Sequence, residues 1–160
     1  MPMPMPMHLL LIPILFPAFV SAASFETGTP MPVMSLKDQH DTTRTVDANT
    51  RVLIFSAERE VSALVETALA DQTADSLSAA GIQYVSDISA MPGMVTSMIA
   101  LPKMRKRPYP MLLGRTAEET AMLPREPGKA TLIASEGGSI TSVQFIDDAA
   151  GLRAALGFAP

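Results

Sequence analysis

The chain has 160 residues, a net charge of −4 and no cysteine, and its length suits one domain. Without cysteine it can form no disulfide, no thiolate metal site and no thiol nucleophile. Mild acidity, 5% aromatic residues and the absence of Trp argue against a nucleic-acid binder, which needs a basic domain or stacking platforms.

Leu9 to Val20 is an apolar run, broken only by Pro13 and Pro17, that ends in the small residues Ser21-Ala22-Ala23. This pattern predicts a secretory signal peptide over residues 1–23 and a periplasmic or secreted protein. The start of the run departs from the pattern, because Met1 to Met7 carries no Lys or Arg. A retained hydrophobic anchor is the alternative, but a membrane span needs about 20 apolar residues and this run is shorter. No transmembrane segment is expected once the leader is removed. Residues 24–32 read as a Pro- and Gly-containing lead-in to a domain over 33–157.

Val33 to Leu36 and Arg44 to Val46 predict a short hairpin around the polar turn Lys37-Asp38-Gln39-His40-Asp41. Arg51 to Ser56 has a continuous apolar centre, which suggests a strand covered on both faces. Val61, Leu64, Val65, Ala68 and Leu69 then fall on one face of a helix, with Glu58 and Glu60 in the first turn, where the helix dipole favours acids. Thr73 to Ala80 predicts a shorter helix closed by Gly81, and Ile82 to Ile88 the next strand. Pro92 opens a helix that Pro102 is expected to end. A short strand over Met111-Leu112-Leu113 and a helical turn within Ala117 to Leu123 follow. Ala130 to Ala134 and Ser139 to Ile146 form a hairpin across Glu136-Gly137-Gly138. Asp147 is placed to cap a last helix, Asp148 to Leu156, closed by Gly157. Alternation in the first half implies parallel strands with crossover helices. The Gly-Gly hairpin makes the second half antiparallel.

This order resembles the thioredoxin-like fold, with the N-terminal hairpin of exported and peroxiredoxin-like members. The resemblance spans roughly Val33 to Leu156. Arg51 to Glu60 (RVLIFSAERE) resembles the strand that runs into the family's redox turn. Tyr109-Pro110 before Met111 resembles the cis-proline that precedes its third core strand. The terminal hairpin and helix are the third point of similarity. The implied architecture is a mixed central α/β sheet with helices on both faces. The family's two cysteines would lie near Glu58 to Ala63, where the chain reads EREVSA. Thiol–disulfide oxidoreductase or peroxidase activity is therefore not implied.

The candidate sites are few. Lys103, Arg105, Lys106 and Arg107, beside Tyr109 and Pro110, form a basic run that would dock an acidic protein partner or an anionic surface. The bland alternative is a solvated helix exit. Asp38, His40 and Asp41 could form a base or metal site, or simply a polar turn. Met91, Met94 and Met98 share one helical face; thioethers suit Cu(I), and methionine also fills irregular cores. Asp87 lies near a strand's C-terminal end, where α/β folds place ligand groups, or caps the following turn. The expectation is an exported, redox-inactive binding or accessory module with no cofactor and no catalytic residue. The alternative is a small enzyme or a flavin or copper binder using Asp38 and His40, or the methionines. No Gly-x-Gly-x-x-Gly follows a strand.

Overall fold

The computed structural model describes residues 25–160; the leader expected over residues 1–23 lies outside the described residues. A two-stranded antiparallel hairpin, β1 (Met34–Lys37) and β2 (Thr43–Val46), precedes the main sheet. That sheet has the order β5-β4-β3-β6-β7. Its parallel half is β3 (Val52–Ser56), β4 (Ile82–Asp87) and β5 (Leu112–Gly114). Its antiparallel half is β6 (Ala130–Glu136) and β7 (Ser139–Ile146), joined where Gly137 and Gly138 both adopt positive φ, at 59° and 83°. A two-residue hairpin of this hand demands such a pair.

The helices are α1 (Arg59–Ala68), α2 (Ala74–Ala80), α3 (Gly93–Val95), α4 (Leu101–Met104), α5 (Ala117–Thr120) and α6 (Ala149–Leu156). The period-2 pleat sorts the strand side chains onto two faces. Ile54, Ile82, Tyr84, Leu113 and Leu132 pack with residues of α1, α2, α4 and α6. Leu53, Phe55, Val85, Leu112 and Ile133 pack instead against Met34, Leu36 and Val46 of the hairpin. Full burial of such residues stabilises the fold by roughly 1.5–3 kcal/mol apiece. The short α5 lies on the hairpin side of β5, where a Cβ at Gly114 would come within 2.4 Å of Thr120. Only glycine permits that approach.

Three local expectations change. The helical segment does not end at Pro102. Residues Thr96–Ala100 form a π-helical turn in which Leu101 N–H donates to the Thr96 carbonyl, and α4 resumes with Pro102 in its first turn. Pro102 has no N–H to donate, and the first turn of a helix tolerates that loss. The last helix is capped by Asp148, whose carboxylate accepts the Gly151 N–H. Finally, Tyr109-Pro110 does not correspond to a cis-proline, because no peptide bond among the described residues is cis. It also precedes the parallel edge strand β5; the strand antiparallel to β3 is β6.

Candidate functional site

The strand β3 delivers its last residue, Ser56, to the start of α1. Here the hydroxyls of Ser56 and Ser62 approach to 2.9 Å, Ser56 and Tyr84 to 2.9 Å, and Ser62 and Ser86 to 3.2 Å. Alternation along β4 brings Tyr84 and Ser86 to one face, and α1 lowers Ser62 onto them. Burial pushes the Tyr84 phenol up, against the opposing hydrogen bonds from the serines. None of the four hydroxyls hydrogen-bonds to a histidine or carboxylate among the described residues. A hydroxyl nucleophile needs an adjacent base, and among the described residues these hydroxyls bond to one another instead. Its sequence signal was available: Ser56 ends an otherwise apolar strand, with Tyr84 and Ser86 two apart on the next.

Asp87, at the end of β4, accepts the Ser89 N–H at 2.9 Å and the Thr120 hydroxyl at 2.7 Å, with Arg125 at 3.4 Å. Burial opposes ionisation, but these donors outweigh it and hold the carboxyl below its usual 3.8. Arg125 also lies 4.9 Å over the Phe55 ring. Asp87 thus caps the turn after β4 and ties it to α5.

The polar turn after β1 is not solvated throughout. Asp38 and Gln39 are both buried. Asp38 accepts the His40 and Thr42 backbone N–H groups at 2.8 and 3.0 Å and Arg44 Nε at 2.7 Å. Gln39 Nε2 donates to the Tyr109 carbonyl at 2.8 Å, and its Oε1 accepts the Met111 N–H at 2.8 Å. His40 is exposed, and Asp41 pairs with Arg115 at 3.1 Å. The Asp38 and Asp41 carboxylates are therefore taken up by different arginines, and the His40 ring lies exposed. Among the described residues no group of three His, Asp or Glu could hold a metal ion.

The Gln39 clamp mounts the basic run. Arg105 Nε donates to the Gln39 carbonyl at 2.9 Å, Arg107 pairs with Glu66 on α1, and the Pro108 carbonyl accepts the Ala74 N–H at 2.8 Å. Lys103 and Lys106 remain exposed and make no ion pair among the described residues. Tyr109 is 3% exposed and packs in the core, unlike the lysines beside it. Burial pushes its phenol up to about 12.

The methionine stripe is divided. Met91 packs against the core, whereas Met94 and Met98 are 75% and 71% exposed. They do not fill the interior, because Ala100, Leu101 and Met104 take the inward face of the segment. Val95 and Ile99 are exposed beside them.

No protein-family model matches the chain, and no curated protein matches it significantly. Solved structures do. A putative protein disulfide isomerase from Bacteroides thetaiotaomicron superposes with a TM-score of 0.58 at 15% identity, over 82% of this chain and 86% of that one. The peroxidoxin BcpB from Mycobacterium tuberculosis gives 0.53 at 17% identity, over 82% and 95%. A putative thiol:disulfide interchange protein DsbE from Chlorobium tepidum gives 0.52 at 14% identity, over 83% and 99%. The chain has the thioredoxin-like fold, and it has it without a single cysteine.

Proposed function

We propose that this is an exported, redox-inactive thioredoxin-like domain that serves as a binding or accessory module in the cell envelope, docking an anionic group at Lys103 and Lys106. The observation that supports this most is the division of labour within the basic run. Arg105 and Arg107 are committed to Gln39 and Glu66, while the two lysines stay exposed, with no ion pair among the described residues, on a backbone held at Pro108 and Tyr109. A loop held in this way loses less freedom when it binds, which raises the net affinity. Export is inferred from the apolar run and its small-residue end. The lack of any thiolate supports inactivity in thiol–disulfide exchange.

Titration with a fluorescent polyglutamate peptide tests the reading. Binding should weaken with salt and weaken further in K103S/K106S. Equal binding by the parent and this variant would contradict it. The double variant is cleaner than replacing all four cations, because Arg105 and Arg107 hold the loop in place.

A further inference from the structure

Between Ile88 and Ala117 lie five of the twelve basic residues and none of the sixteen acidic ones. From Ile88 to Pro102 there is no charge at all. This stretch includes the helical segment from α3 to α4, which is buried at Leu101 and Met104 of α4 and which exposes Met94, Val95, Met98 and Ile99 of α3 and the π-helical turn to solvent. A surface helix of a globular domain ordinarily carries charged and polar residues there. The two hydroxyl residues of the segment also turn inward on their own helix. Thr96 Oγ1 donates to the Pro92 carbonyl at 3.3 Å and Ser97 Oγ to the Gly93 carbonyl at 3.0 Å. Their polar groups are satisfied without water. Lys103, on α4, and Lys106, in the turn that follows it, are the next charged residues without an ion pair among the described residues, so exposed cations follow the apolar residues in the chain.

We propose that this outer face seats on an anionic lipid surface, with Met94, Val95, Met98 and Ile99 entering the boundary between headgroups and acyl chains and Lys103 and Lys106 meeting the lipid phosphates. The proposal rests on the anion-docking reading above and names its source. An apolar stripe edged by cations is the pattern of an interfacial membrane element. The alternative occupant is a protein. Protein hot spots favour Trp, Tyr and Arg anchors, and the outer face of this segment has none. Among the described residues no helix is long and apolar enough to cross a membrane.

The chain contains no Trp, so Met98→Trp gives a single fluorescent reporter at an exposed position. The test uses the full chain as its host processes it, with vesicles of phosphatidylglycerol or phosphatidylcholine and with polyglutamate. All variants share one N-terminus, so any binding through that segment is common to them. The expected result is a blue shift of the introduced indole's emission with phosphatidylglycerol vesicles and none with polyglutamate. M94S/I99S should weaken vesicle binding about tenfold and leave polyglutamate binding unchanged. These residues are exposed, so circular dichroism should show an intact fold. Vesicle binding with unshifted emission from the M98W variant would mean headgroup contact only, and would overturn insertion while leaving anion docking intact. Binding to polyglutamate but not to the vesicles would do the same. If neither probe binds, both readings fall.

Discussion

Gln39 accepts the backbone N–H of Met111 at 2.8 Å across 72 positions of sequence. Its amide nitrogen donates to the Tyr109 carbonyl at 2.8 Å, and its backbone carbonyl accepts from Arg105. One buried side chain therefore fastens the N-terminal hairpin to the loop that carries the exposed lysines.

Gln39→Ala should thus cost more than a surface change. It strands a buried N–H and a buried carbonyl, and each unpaired group costs roughly 1–3 kcal/mol. A loss of about 2–4 kcal/mol is expected, read as a lower urea midpoint. An unchanged midpoint would show that the hairpin is docked by its apolar face alone.

Stability should fall in acid for a specific reason. Burial would raise the Asp38 carboxyl, but hydrogen bonds from Arg44 and from the His40 and Thr42 amides hold it below 3.8. Asp87 is likewise held low. A folded value below the unfolded one means that the stabilisation is complete above about pH 4 and is lost as pH falls through the folded value. Asp38→Asn should lose about 1–3 kcal/mol at neutral pH and show a flatter acid limb. Urea midpoints between pH 2 and 7 decide this; parallel curves for parent and variant would remove Asp38 from the account.

How much of this was legible follows from what periodicity can and cannot report. The apolar centre of Val52 to Phe55 and the 3–4 spacing of Val61 to Leu69 marked β3 and α1. Gly137-Gly138 marked the hairpin because few residues accept positive φ. The burial of Asp38 and Gln39 was not legible, since their partners lie at Arg44 and at Tyr109 to Met111 and a polar turn looks the same from within. The stripe of Met94 and Met98 showed a shared face but not which way it turned. That direction is set by Leu101 and Met104 and by the π-helical turn before Pro102.

Glu58 to Ala63, where the resemblance implies the family's cysteines, carries no sulfur, and its Ser62 joins the hydroxyls of Ser56, Tyr84 and Ser86. The protein should not reduce insulin disulfides with any electron donor, since no thiolate can attack. Turbidity developing faster than in a protein-free control would contradict this. Tyr84→Phe should remove a buried hydrogen bond and cost about 1 kcal/mol, without any change in that assay.

An anionic group received by Lys103 and Lys106 should be felt first in the rate of association. Exposed charges at a docking site act mainly on encounter. Stopped-flow mixing with labelled polyglutamate should give a rate for the parent that falls steeply as salt is raised. The charge reversal K103E/K106E should slow association at low salt by about tenfold or more and flatten its salt dependence. Equal rates for the two proteins, with the same response to salt, would contradict the account.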